Sequence, residues 1–507
     1  MGKIRRIAVL LIKSKILGFF SVAIKDIHFG SMQTYKRKKA EENGDIKFSI
    51  LVPLYNTPKN FLKDMIDSVE NQSYANWELC LADGSDLDES IGDFVKAYND
   101  PRIKYKKLEK NIGISGNTNA CTELASGEYI CLLDHDDMLS PTALSENYKL
   151  IKEQNCDFVY SDELMFEKHG KMNIISFHYK PDFAPDNLRA NNYICHFSVF
   201  SRKLFDKAGY FNSEYDGSQD HDLILRLTEN AEKIGHISKA LYYWRIHSGS
   251  VASKAECKPY AIEAGKKAVH DSILRKDKRE STVKSSNAHP TIYNIEYDVL
   301  NEKVGIIAPK SVHAHIAENT AGDFSLFEKL SDVPQNVKYV VFFDKDVRII
   351  TKTWLKEMLM FAQRADVGAV GAKLLYPDGK IYHAGITVGI KNGSSYDYHG
   401  VSESDNGYMG RLVYARNVSA VSGQCMMLRH ELVNNGTDMF NIASAIRFCV
   451  DLRKKGFVNV ITPLAKMSFL GKPQDLKGIC ANERDPYFNP NFSKKYTYLR
   501  LKKKRGN

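Results

Sequence analysis

The chain has 507 residues, enough for two to four domains and far more than one hydrophobic core requires. Hydrophobic residues make up 43%, charged residues 26% and aromatics 11%, a globular balance that excludes a disordered, collagen-like or polytopic membrane chain. The net charge of +10 sits at the ends: residues 1–40 hold ten Lys/Arg against Asp26 and residues 494–507 hold seven against none, which leaves about −6 for the body.

A nucleic-acid-binding protein usually spreads basic surface over its folded domain, whereas basic ends on a mildly acidic body suit an anionic membrane surface. Residues 1–45 include an apolar stretch from Ile7 to Ile24 broken by Lys13 and Lys15. Two lysines at a bilayer centre would each cost about 2.5–3.5 kcal/mol, so a segment lying in the interface is expected rather than a spanning helix. A merely solvated basic tail is the alternative, and residues 491–507 form a second basic tail. Nine scattered cysteines with no C-x-x-C pair fit a reducing cytosol and argue against a disulfide framework or zinc ribbon. The expected location is the cytoplasmic, inner face of the membrane, with no nucleic-acid partner.

From residue 46 short apolar runs alternate with helical-period segments, the pattern of a mostly parallel α/β sheet with crossover helices. FSILVPLY (48–55) predicts a buried strand, and residues 58–72 predict a helix with Phe61, Leu62, Met65, Ile66 and Val69 on one face. WELCLAD predicts a strand ending at Asp83, followed by a helix carrying Ile91, Phe94, Val95 and Tyr98. A strand over Lys104 to Leu108 and a helix from Ser115 to Ala125 come next. EYICLLD then delivers Asp134 to a strand's carboxyl end, with Ser140-Pro141 capping the next helix. Ligands of open α/β sheets bind beyond those carboxyl ends.

The polar stretch 276–301 reads as a linker between a domain over 46–275 and a second over 302–490. In the second, VGIIAP (304–309) echoes SILVP (49–53), and YVVFFDKDVRIITKTWL (339–355) echoes YICLLDHDDMLSPTAL (129–144). The pattern predicts a divergent internal duplication. Only 35 residues separate Pro309 from Asp344, against 81 between Pro53 and Asp134, so the second copy is expected to lack the Asp83 strand, its helix and the glycine-rich loop. Aligning FCVDL (448–452) with LILRL (223–227) places Ala445 opposite Asp220.

LLDHDD presents Asp134 and Asp136 together, with Asp137 next. Clustered carboxylate oxygens suit Mg²⁺ or Mn²⁺ sharing its coordination with substrate phosphates, although acidic turns after strands are common without a metal. No G-x-G-x-x-G follows the first strand and no P-loop occurs, so a nucleotide site here would be built from carboxylates and a metal. Asp83 is placed to accept the imide N–H of uracil or thymine, or is a turn aspartate in ADGSD. Asn111, Gly113 and Gly116 allow close approach of backbone to a nucleotide, or are plain turn residues.

The ordered series VPLYN, LCLADGS, NIGISGNTNA, LLDHDD, YSDEL, KPDFAPDNLRANNYICHFSVF, GSQDHDLILRL and YYWRIHSGSVA resembles the family 2 glycosyltransferases of the GT-A fold, in particular O-antigen and rhamnosyl transferases of bacterial surface polysaccharides. The resemblance implies nucleotide-sugar contacts at Pro53, Tyr55 and Asp83, metal and diphosphate binding at Asp134 and Asp136, and a base at Asp220. His247 stands where some relatives have a metal or diphosphate contact, and a structural histidine is equally compatible. Thr118 and Gln219 replace the Arg and Glu of many relatives. The implied reaction is metal-dependent, inverting transfer of a sugar from a UDP- or dTDP-sugar to a glycan or lipid-linked oligosaccharide. A non-catalytic nucleotide-sugar scaffold and a bifunctional enzyme with two active domains are the alternatives.

Overall fold

A computed structural model of the chain describes residues 44–86, 90–169, 171–247 and 259–494. The apolar segment and almost all of both basic ends lie outside these residues. No helix among the described residues is long and apolar enough to cross a membrane. The chain divides into two compact units, and residues 184–191 group with the second although the chain on both sides of them belongs to the first.

The first half runs through β1 (Phe48–Leu54), α1 (Lys59–Glu70), β2 (Trp77–Asp83), α2 (Ser90–Lys96), β3 (Ile103–Lys107), α3 (Gly113–Thr122), β4 (Tyr129–Leu132), β5 (Met138–Leu139) and α4 (Ala143–Gln154). It continues through β6 (Phe158–His169), β7 (Lys171–His178), α5 (Pro185–Ala190), β8 (Ser198–Ser201), α6 (Arg202–Ala208), α7 (Gln219–Asn230), β9 (Ile234–Arg245) and α8 (Pro259–Asp277). The strands form one sheet in the order β3-β2-β1-β4-β8-β6-β9-β5, with β7 paired to β6. β1 lies parallel to both β2 and β4, and every residue of β1 and β2 is buried. Such strands are covered on both faces, which is why they read as continuous apolar runs. α1 buries Leu62, Met65, Ile66 and Val69 as its period predicts, while Phe61 stays at the edge, where Arg245 stacks on its ring 4.7 Å from the centroid. One boundary shifts: α4 takes Thr142 as its N-cap residue rather than Ser140-Pro141.

The second half contains a hairpin, β10 (Ser281–Ser285) and β11 (Tyr293–Tyr297), then β12 (Val304–Ile307), α9 (His313–Asn319), β13 (Phe324–Phe327), β14 (Tyr339–Phe343), β15 (Val347–Ile349) and α10 (Trp354–Ala362). After these come β16 (Val367–Leu375), β17 (Ile381–His383), β18 (Ile386–Ile390), β19 (Gly393–Tyr396), β20 (Arg416–Val418), β21 (Cys425–Arg429), α11 (Ile442–Lys454) and β22 (Val458–Phe469). The hairpin occupies the stretch read as a linker. Its polar residues alternate with buried Tyr293, Ile295 and Tyr297, so what looks like a solvated run is the outer face of a half-buried strand.

The second sheet has the order β13-β12-β14-β21-β16-β22-β15. This repeats β2-β1-β4-β8-β6-β9-β5 strand for strand. β12 is parallel to β13 and β14, β21 runs antiparallel between β14 and β16, β16 is parallel to β22, and β15 is antiparallel to β22. The sequence predicts loss of the strand corresponding to β2, but β13 stands in its place; among the described residues it is β3 that has no counterpart in this sheet. A four-residue strand after a short helix carries too little periodicity to be read in advance.

α5 belongs to the second unit through its polar residues. Arg364 donates to both carboxylate oxygens of Asp186, and Asn417 donates to that carboxylate (2.7 Å) while accepting from the Asp186 N–H (2.9 Å). Arg189 pairs with Asp277 at 2.8 Å and donates to the Tyr297 hydroxyl. Burial opposes the charge on Arg364, but Asp186 and Asp366 outweigh it and hold its pKa above the ordinary range.

Candidate active site

Because β1, β2 and β4 run parallel, their carboxyl ends open along one edge of the sheet. Pro53 lies within β1 and Tyr55 just beyond it, Asp83 ends β2, and Asp134 follows β4 by two residues. The Asp134 carboxylate is 55% exposed. Its N–H donates to the Tyr242 hydroxyl (3.2 Å), which itself donates to Asp137 (2.6 Å). The other Asp137 oxygen accepts from the Arg245 N–H at 2.7 Å, and the Arg245 side chain donates to the Asp136 carbonyl and to Asp64. Asp137 therefore ties the acidic turn to β9. Asp136 meets the His247 ring, with Oδ2 2.8 Å from Nε2.

One grouping among the described residues offers hard oxygen plus imidazole, a donor chemistry that suits Mg²⁺ or Mn²⁺. Asp134, Asp137 and His196 have ligand atoms within 4.8 Å of one another. Asp137 is buried with both oxygens already engaged, and Asp136 is paired with His247 beside it.

Asp220 occupies the first turn of α7, whose N-cap residue is Ser218, so the aspartate does not serve as the cap. Its Oδ2 accepts from Asn192 Nδ2 (2.9 Å) and from the Cys195 thiol (3.4 Å). The thiol also lies 3.4 Å from His196 Nε2, and that nitrogen is 3.5 Å from Asp134. A short chain of side chains thus joins Asp220 to the acidic turn. Burial and the Asp220 carboxylate push the Cys195 thiol up to about 12 against the opposing His196 ring, which keeps it a neutral donor.

Asp83 is fully buried, accepting from the Ser85 N–H (2.8 Å) and the Tyr105 hydroxyl (2.7 Å). Tyr55 is 43% exposed. Asn111 accepts from the Gly113 N–H and from Asn117. Gly113 has φ +82°, and a Cβ there would stand 2.8 Å from Asp216. The close approach this glycine admits in the structure is that of the Asp216 carboxylate, which accepts from the Ser115 hydroxyl and N–H. Gly116 likewise faces the Ile112 side chain.

Sequence reasoning assigned no role to Asn192, Cys195 and His196, although all three lie in the quoted run NNYICHF. Nor did it single out Glu163 of YSDEL or Lys180 of the KPD segment. Lys180 is fully buried; it donates to Glu163 (3.0 Å), to the Ile194 carbonyl (2.7 Å) and to the His196 carbonyl. His178 bonds the other Glu163 oxygen (2.9 Å), and the His196 ring stacks on Tyr242 at 4.5 Å. Burial alone would raise Glu163, but Lys180, His178 and His196 hold it well below the usual carboxylate range.

The model of the family "Glycosyl transferase family 2" matches residues 49–209. The first unit carries a family 2 glycosyltransferase domain. The chain is 32% identical over 84% of its length to the uncharacterized protein y4gI of Sinorhizobium fredii, and 28% identical over 76% to the O-antigen biosynthesis protein RfbC of Myxococcus xanthus. It spans 53% of the former and 34% of the latter. Among solved structures, residues 1–349 of TarS from Staphylococcus aureus in complex with UDP-GlcNAc align at 23% identity and a TM-score of 0.39, over 46% of this chain and 68% of that one. The glycosyltransferase match includes Asn192, Cys195 and His196 and stops short of Asp220 and His247.

Proposed function

We propose that the chain is an inverting glycosyltransferase that moves a sugar from a UDP- or dTDP-sugar to a glycan, in a lipid-linked form, during cell-surface polysaccharide synthesis. The observation that carries this reading is the pairing of an open acidic turn with a second carboxylate, Asp220, joined to it through Cys195 and His196. Asp134, Asp136 and His247 are the residues that would hold Mn²⁺ or Mg²⁺. A divalent cation there supplies charge compensation for the departing diphosphate. Asp83, held by Tyr105 and Ser85 and 3.6 Å from Lys107, would accept the imide of the base once the groups that cover it move aside, with Pro53 on the adjacent β1 and Tyr55 just past its end and the loop at Asn111 and Gly113 bounding the nucleotide. Asp220 takes the proton of the acceptor hydroxyl as the new C–O bond forms at the anomeric carbon. The bond to the diphosphate breaks in the same step, so a single displacement inverts that carbon. A positioned base contributes about 10²- to 10⁴-fold. The basic ends would place the enzyme on the anionic inner face of the membrane.

The test is transfer and donor hydrolysis by purified protein, with a panel of UDP- and dTDP-sugars, Mn²⁺ or EDTA. The expected result is activity with Mn²⁺ that EDTA abolishes, and an Asp220→Asn variant that binds donor normally but loses transfer. Activity undiminished by EDTA would remove the metal from the reading. Parental turnover in Asp220→Asn would remove the base.

A further inference from the structure

Asn192 lies beside Asp220. Its side chain touches two groups of opposite demand: its Oδ1 accepts from the Cys195 N–H (3.4 Å), and its Nδ2 donates to Asp220 Oδ2 (2.9 Å). The reversed amide would set a carbonyl oxygen against a carboxylate and an N–H against an N–H, so the two contacts fix its orientation. Cys195 adopts φ +35°, in the left-handed region that a non-glycine residue avoids. This conformation brings its N–H to Asn192, and its thiol falls on the same Asp220 oxygen (3.4 Å). Lys180 donates to the flanking carbonyls of Ile194 and His196. Two donors thus converge on Oδ2, whereas among the described residues none donates to Oδ1.

From this asymmetry, and resting on Asp220 as the proposed base, we infer that Asn192 is a positioning residue: it commits Oδ2 of Asp220 to the loop and leaves Oδ1 as the oxygen that receives the acceptor proton. A carboxylate free to rotate about its Cβ–Cγ bond presents either oxygen in many orientations, and only a narrow range meets a bound hydroxyl at hydrogen-bond distance. The Asn192 donor removes that freedom without itself touching substrate. No oxidant, cofactor or added group is needed, because the proton passes from the acceptor hydroxyl to Oδ1 and Asn192 keeps both of its own.

The experiment measures kcat and donor KM, with an active donor from the panel and Mn²⁺, for the parent, Asn192→Ala, Asn192→Ser, Asp220→Asn and the Asn192→Ala/Asp220→Asn pair. Asn192→Ala should lower kcat about tenfold to a hundredfold, the span of a hydrogen bond to a charged group, with donor KM unchanged. Asn192→Ser, which keeps a shorter donor, should recover part of that loss. In the Asp220→Asn background, Asn192→Ala should change nothing further, because a residue acting only through Asp220 has nothing left to position. Parental kcat in Asn192→Ala, or an undiminished further loss in the double variant, overturns the inference while leaving the base in place. Parental turnover in Asp220→Asn overturns the base and this inference together.

Discussion

Glu78 illustrates how a single charge is carried inside the first sheet. It lies in β2 with 1% of its side chain exposed, yet it meets Lys47 at 2.6 Å and Lys104 at 2.9 Å and accepts from Ser49 at 2.7 Å and from the Ser126 N–H. Burial alone would raise its pKa, but the two lysines, Ser126 and Ser49 together hold the carboxyl well below the usual range. A folded value below the unfolded one stabilises the protein above the unfolded pKa of about 4.3, and the contribution is lost as pH falls toward the folded value. Glu78→Gln should therefore cost about 1–3 kcal/mol at pH 7, discounted for the solvent that reaches both lysines. The gap between parent and variant in urea unfolding should narrow as pH drops from about 5 to 3. A gap that stays constant over that window would contradict the ionic account. Asp134 and Asp220 were legible in the sequence because each follows a recognisable strand or opens a recognisable helix. Asn192 was not, since its importance lies in what it meets 28 positions away.

The loop between α5 and β8 is the element on which the site depends most. Its carbonyls at Ile194 and His196 are satisfied by Lys180, whose charge is balanced by Glu163, itself held by His178. Removing one member of a buried ion pair leaves the other uncompensated, at a cost of about 3–5 kcal/mol. Lys180→Met should lose about that much in denaturant unfolding at neutral pH, with transfer falling in parallel, because Asn192, Cys195 and His196 all lie on the loop. A loss under about 1 kcal/mol would show that the carbonyls find other donors. The helices and parallel strands were legible as elements, since α1 and β1 carry their periodicity in the order of their apolar residues. The loop has no period to read.

At the scale of the whole molecule, one strand order is used twice, and the second copy repeats only part of the acidic set. The second sheet delivers Asp344 just after β14 as the first delivers Asp134 after β4, but among the described residues it has no counterpart of β3. The first turn of α11 carries no acidic residue where α7 has Asp220 and Asp222. An Asp344→Ala/Asp346→Ala double variant should fold and transfer at close to the parental rate, measured with the same donor and acceptor as the parent. Loss of one of two distinct linkages in the product would show instead that the second unit also catalyses.

The sequence by itself determined the α/β class, the duplication, the placement of Asp83 and Asp134 at strand ends, and the family of the first unit, because each rests on the order of residues along a strand or helix. Only the tertiary structure decided that residues 184–191 join the second unit through Asp186 and Arg189, that 276–301 folds as a hairpin, and that Gly113 makes room for Asp216. It likewise decided that Asp136 faces His247, 111 positions away. The physical reason is the same in each case. A buried polar group or a left-handed glycine is satisfied by whichever partner the fold brings within about 3 Å, and sequence spacing carries no record of that partner.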